Sequence, residues 1–173
     1  MESRANQIAR QVEKLKVLVV DDEPAMRKVA RALLQSIGIT AIHEASDGHS
    51  GLEKIRISAP DIVILDWEMP SPNGPEFMHT VRSPGTFPLP DVPVIMLTGY
   101  SERSRVVEAM RLGVNEYLLK PVSSTALLAR IVSILVKPRP MIQRGEYYGP
   151  EPRQLTTSKP DPTADLSETA LID

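Results

Sequence analysis

The chain has 173 residues, 42% of them apolar but only 4% aromatic, which suits one aliphatic-cored domain with a tail. A formal net charge of −2 gives no footprint for nucleic acid or an anionic membrane surface, so neither is expected as a partner. The absence of cysteine excludes disulfides and thiolate chemistry, and without a bilayer-length apolar run or a signal-peptide core a cytoplasmic protein is the expectation.

Residues 1–15 form an extension in which Ile8, Val12 and Leu15 fall on one side of a short helix over 3–15. The run KVLVV at 16–20 predicts a strand, and it passes directly into Asp21, Asp22 and Glu23. Two unit charges about 4 Å apart, at an effective dielectric near 20, repel by about 4 kcal/mol, so this acidic end needs a compensating cation. Apolar residues at Met26, Val29, Ala30, Leu33, Leu34 and Ile37 give a helix over 24–37, opened by Pro24 and ended at Gly38. ITAIHEA (39–45) is a second strand, and 48–57 a second helix with Asp47 as its N-cap. DIVIL (61–65) is the third strand and leads to Asp66 within ILDWEMPSPNG, with a helix over 74–82 beyond it. PVIML (93–97) is followed by Thr98 and a helix over 101–112 closed by Gly113; NEYLL (115–119) is followed by Lys120 and a helix over 123–136. From Pro138 the periodicity vanishes. PRPMIQRGEYYGPEPR reads as an extended arm and 154–173 as disordered, so the main domain spans 16–137 and 138–173 is arm and tail.

Five βα units in succession imply an α/β fold, a parallel sheet with helices on both faces. Such sheets bind ligands beyond the carboxyl ends of their strands. Asp21 and Asp22, Asp66, Thr98 and Lys120 stand at four of those ends. Singly each has an ordinary reading: acids at a helix N-terminus, turn chemistry, a strand exit, a surface lysine before a proline. Together they make one crevice of carboxylates, a hydroxyl and an ammonium. Donors that are all oxygen point to Mg²⁺ or Mn²⁺. A carboxylate beside a divalent metal and a lysine can accept a phosphoryl group as an acyl phosphate.

The motifs VDDE, DWEMP followed by NG, LTGY, and KP after the fifth strand closely resemble the receiver domain of two-component response regulators, over about 16–137. The resemblance implies a flavodoxin-like, doubly wound five-stranded parallel sheet in the order 2-1-3-4-5. It makes Asp66 the phosphorylated aspartate, and gives Asp21, Asp22, Asp66 and the backbone carbonyl of Glu68 to the metal. Thr98 becomes the switch hydroxyl, Tyr117 the switch aromatic and Lys120 the partner of the phosphoryl group. It further implies a cis peptide between Lys120 and Pro121, a sensor histidine kinase as phosphodonor, and a signalling phosphoacceptor rather than an enzyme with a separate substrate. Phosphorylation would reshape the face made by the fourth βα helix, the fifth strand and the fifth βα helix. Glu68 and Tyr100 fall where the family tunes dephosphorylation, and the bulk of Tyr100 predicts a long-lived phosphoryl state.

No helix-turn-helix pattern follows the fifth βα helix, so a stand-alone receiver is expected rather than a DNA-binding regulator. In SSTALLARIVSILVK the polar stripe Ser123, Arg130, Ser133 and Lys137 is narrow. The apolar arc opposite is wider than a surface helix needs and predicts burial against a second copy, a partner, or the chain's own arm. Homodimerisation through that face, with arm exchange, is the expectation. Two alternatives are an aspartyl-phosphate hydrolase, disfavoured because no substrate-covering insertion is present, and a pseudo-receiver, disfavoured by the intact acid set.

Overall fold

Each of the five apolar runs forms a strand at its expected place in the computed structural model, which describes residues 1–153. The strands are β1 (Lys16–Val20), β2 (Ala41–Ala45), β3 (Ile62–Asp66), β4 (Val94–Thr98) and β5 (Glu116–Leu119). All pair in parallel, in the order β2-β1-β3-β4-β5. β3 and β4 are buried along their whole length, and β1 at all but its first residue. That burial on both faces is why their sequences read as unbroken aliphatic runs.

The helices are α1 (Arg4–Glu13), α2 (Pro24–Ser36), α3 (Gly48–Ser58), α4 (Gly74–Val81), α5 (Arg103–Arg111) and α6 (Ser124–Val136). Side chains alternate across the sheet and build two cores. On one face Leu18, Val63, Leu65 and Met96 meet Ile55 of α3, Phe77 and Met78 of α4, and Val106 and Ala109 of α5. On the other Val17, Val19, Ile64 and Ile95 meet Leu34 of α2 and Leu127 and Ile131 of α6. Local chemistry fixes the helix starts. Pro24 occupies the first turn of α2, Asp47 accepts from the Ser50 amide at 2.7 Å, and Ser123 accepts from the Ala126 amide at 3.1 Å. Asn73 and Glu76 close a capping box on α4.

Two expectations change here. The wide apolar arc of α6 is partly covered within the chain itself, leaving Leu128, Val132 and Leu135 half-buried. α1 packs on α6, and Ile8, Val12 and Leu15 join the cluster that holds Ile131, Leu128, Val132 and Leu135. The N-terminal stripe and the broad C-terminal arc are two halves of one contact. The arm, in turn, is not extended. It is a hairpin of β6 (Met141–Arg144) and β7 (Tyr147–Pro150), turned at Gly145 with φ +59°.

The hairpin folds back beside the amino ends of β4 and β5, away from the strand carboxyl ends. Arg139 donates to the Asn115 carbonyl at 2.7 Å, and the Tyr148 hydroxyl donates to the Asp91 carboxylate. Gly113 lies directly under it. Its φ is +92°, and a Cβ there would meet the Tyr148 carbonyl at 2.9 Å, so the position excludes a side chain on both counts. Beneath the hairpin the buried Arg82 donates to the carbonyls of Gly113 (3.0 Å), Pro90 (2.7 Å) and Val92 (2.7 Å) and to Asn115 Oδ1 (2.9 Å). The stretch 154–173, expected to be disordered, lies outside the described residues.

Candidate functional site

The parallel register delivers four loops to one edge of the sheet. Asp21 directly follows β1 and is buried; Asp66 is the last residue of β3 and equally buried. Backbone amides aim both carboxylates: Glu23 N–H donates to Asp21 Oδ1 at 2.9 Å, and Glu68 N–H to Asp66 Oδ1 at 3.3 Å. Asp21, Asp22 and Asp66 each present a carboxylate oxygen within 4.8 Å of the others. Lys120 reaches in from the end of β5. Its Nζ donates to Asp66 Oδ1 at 2.9 Å and stands 4.0 Å from Asp21 Oδ2. The expected cis peptide between Lys120 and Pro121 is present, as is a second, between Ser71 and Pro72, that sequence reasoning missed.

The charges do not balance. Three carboxylates face one ammonium. Burial pushes the Asp21 carboxyl up to about 6, with the charges of Asp66 and Asp22 adding to the rise and the Glu23 amide and Lys120 opposing it. Burial would lower the Lys120 ammonium, but the hydrogen bond and charge of Asp66, helped by Asp21 and Glu68, outweigh it and hold Lys120 above its ordinary value. A compact pocket whose donors are all oxygen and whose negative charge exceeds its positive fits a hard divalent cation such as Mg²⁺ or Mn²⁺.

Thr98 ends β4 and is fully buried. Its hydroxyl donates to the Glu68 carboxylate, and the Tyr100 amide donates to Thr98 Oγ1 at 3.1 Å. The Glu68 side chain is thus tied to the residue expected as the switch hydroxyl, a contact that sequence reasoning missed. The DWE spacing was visible, but not which way the glutamate turns. Tyr117 is buried on β5 with the Arg130 guanidinium 5.8 Å from its ring centroid. Tyr100 is 45% exposed, with Arg105 stacked over it at 4.1 Å. Trp67 is buried next to Asp66 and lies so close to Gly74 that a Cβ there would fall 2.3 Å from the indole. Its fluorescence is therefore a natural reporter of the pocket. Asp21, Asp22, Asp66 and Lys120 are brought together as expected. Thr98 gives its hydroxyl hydrogen bond to Glu68, and Tyr117 sits one strand over from Thr98.

The profile of the response regulator receiver domain matches residues 17–132. The chemotaxis protein CheY of Pseudomonas aeruginosa is 34% identical over 120 residues, covering 69% of this chain and 95% of that protein. CheY-3 of Vibrio cholerae is 32% identical over 120 residues, 69% of this chain and 91% of that protein. Among solved structures, CheY4 of Vibrio cholerae matches with a TM-score of 0.60 at 31% identity, over 68% of this chain and 95% of that one. A chain described as a response regulator from Chloroflexus aurantiacus matches at 0.65 with 28% identity, over 71% and 98%. The hairpin lies outside the residues that the family profile matches.

Proposed function

The chain belongs to the response regulator receiver domain family, and from that membership we propose that it accepts a phosphoryl group from a sensor histidine kinase on Asp66 and relays the signal through its α5–β5–α6 face. One observation carries this reading: Lys120 Nζ at 2.9 Å from Asp66 Oδ1, inside a set of three carboxylates that lie within 4.8 Å of one another.

Asp66 is the nucleophile. One carboxylate oxygen attacks the phosphorus of a phosphohistidine in line; the O–P bond forms as the P–N bond breaks, and the imidazole leaves with its electron pair. Lys120 already rests against Asp66 and has only to pivot toward the equatorial oxygens to offset their charge. Asp21, Asp22, Asp66 and the Glu68 backbone carbonyl would hold a divalent ion, Mg²⁺ or Mn²⁺. When bound, that ion supplies positive charge against the acids and the phosphoryl oxygens. Residues 16–137 act as the receiver domain.

Output follows from a competition for Thr98. Its hydroxyl now serves the Glu68 carboxylate. A phosphoryl group on Asp66 offers a more highly charged acceptor, drawing Thr98 off Glu68, with Tyr117 held inward behind it. The α5–β5–α6 face then changes shape, a two-state element biased by one modification. Its protein partners include a second copy of this chain, which sizing with and without a phosphoryl mimic detects. Tyr100, flanked by Arg105, screens the acyl phosphate from water, so Tyr100→Ala shortens the phosphoryl lifetime.

Phosphotransfer profiling tests the function. Purified histidine kinases are autophosphorylated with labelled ATP and mixed with the chain or with Asp66→Ala. Transfer from one kinase to the parent but not to the variant is expected. Label reaching both chains equally, or neither from any kinase, contradicts the reading.

A further inference from the structure

The C-terminal hairpin reaches the switch strand through one buried carboxylate. Glu116, the first residue of β5, is only 3% exposed. A carboxylate buried this far is tolerable only if donors surround it, and Glu116 has three. The Ser133 hydroxyl donates at 3.2 Å, Arg130 of α6 stands at 3.6 Å, and Arg153, just past the hairpin, makes the closest ion pair. Arg139, at the start of the hairpin, also grips the preceding residue by donating to the Asn115 carbonyl at 2.7 Å.

Neighbouring residues of a strand point to opposite faces, so Glu116 and Tyr117 cannot touch across the sheet. β5 is an edge strand, however, and Arg130 bridges around that edge. Its guanidinium is shared between the Glu116 carboxylate and the Tyr117 ring, 5.8 Å from the ring centroid. How far Arg130 leans each way depends on how well Glu116 is served by others. With Arg153 in place, the carboxylate has its second cation and Arg130 stays over the aromatic face. With Arg153 gone, Arg130 is the only ion-pair partner within 4.0 Å of the buried carboxylate among the described residues, and the carboxylate pulls it off the ring.

We propose that Arg153 and Glu116 are positioning residues for Tyr117: the hairpin, acting through Glu116 and Arg130, holds the aromatic ring inward and so sets how readily the receiver switches. This rests on the receiver reading above. The hairpin thus serves as a built-in bias on the switch, placed at the opposite end of β5 from the phosphoryl pocket.

The test is a titration of Trp67 fluorescence with beryllofluoride as phosphoryl mimic, at saturating Mg²⁺, on the full chain. Arg153→Ala is expected to raise the midpoint at least about fivefold, the low end of inter-site couplings, and Arg153→Lys, which keeps the charge, to restore most of it. Glu116→Gln, which removes the carboxylate that competes for Arg130 and leaves the hairpin's backbone contacts in place, should not raise the midpoint, and in that background Arg153→Ala should shift nothing. In a Tyr117→Ala background the Arg153→Ala change should shift nothing further. A purely structural hairpin would give the same shift with and without Tyr117, and that result overturns the proposal. So does an Arg153→Ala midpoint equal to that of the parent. A parent chain that neither responds to beryllofluoride nor becomes phosphorylated on Asp66 overturns the receiver reading itself, and this proposal with it. A responsive parent with a silent Arg153→Ala variant overturns this proposal alone.

Discussion

The two ends of the sheet treat buried charge in opposite ways. At the amino ends of β4 and β5, Arg82 is buried with no carboxylate among its hydrogen-bond partners in the described residues, yet three carbonyls and the Asn115 amide oxygen satisfy its guanidinium. Burial lowers it to about 10 against the opposing influence of Tyr147, Asp91 and Tyr148, still far above neutrality. At the carboxyl ends, three carboxylates crowd together around one ammonium, and burial raises Asp21 to about 6. The first arrangement is complete and holds loops together. The second is left unbalanced, which costs stability and keeps a place for charge arriving from outside. A structural charge and a functional one differ in whether the fold has already satisfied them.

Opposite signs on mutation are the sharpest way to break that comparison. Arg82→Met removes the donor from three carbonyls, two of them in buried contacts, a buried acceptor being worth about 1–3 kcal/mol when orphaned, while Asn115 Oδ1 keeps the Val94 amide at 2.9 Å. A loss of about 3–5 kcal/mol is expected, read as a lower midpoint in urea unfolding. Asp21→Asn should do the reverse. It removes like-charge repulsion and raises the metal-free melting temperature by about 3–6 °C, the shift from roughly 1–2 kcal/mol in a chain of this size, while abolishing the Mg²⁺-induced change in Trp67 fluorescence. If Asp21→Asn destabilises the metal-free chain, the pocket is not strained by its own charge.

A pH series sharpens the same contrast. Asp21 has a higher pKa in the folded chain than its ordinary 3.8, so the native state binds that proton more tightly. Its contribution to stability is fully present below about pH 4 and is lost as pH rises through about 6. The same proton competes with a divalent ion, so Mg²⁺ affinity should fall by up to tenfold per unit as pH drops below about 6. Parent and Asp21→Asn chains compared by melting and by Mg²⁺ titration check both slopes; identical pH dependence in the two chains would count against the assignment. The smallest effect belongs to the hairpin's rim. Tyr148→Phe removes one hydroxyl donor to the Asp91 carboxylate at a partly exposed site and should cost only about 0.5–1 kcal/mol.

The sheet was legible in the sequence because aliphatic runs buried on both faces leave an unmistakable pattern, and each strand start lies within two residues of its expected place. Asp21, Asp22, Asp66 and Lys120 were legible because the rule for parallel sheets puts strand ends together whatever the side-chain detail. What escaped was tertiary. MIQRGEYY hid a hairpin because its strands are four residues each, set among prolines; the signal was Gly145 between two runs carrying Met141, Ile142, Tyr147 and Tyr148. Nothing local marked Arg82 as buried, since its acceptors come from the far end of the α4–β4 loop and from the α5–β5 loop. The breadth of the α6 apolar arc was real, but its cause lay over a hundred residues away, in α1.

The most direct measurement is mass mapping of the chain after exposure to acetyl phosphate, with and without Mg²⁺. A single Mg²⁺-dependent phosphoryl adduct on Asp66, absent from Asp66→Ala and strongly reduced in Lys120→Ala, is the predicted result. An adduct elsewhere, or one on Asp66 that forms equally well without the metal and without Lys120, would contradict it.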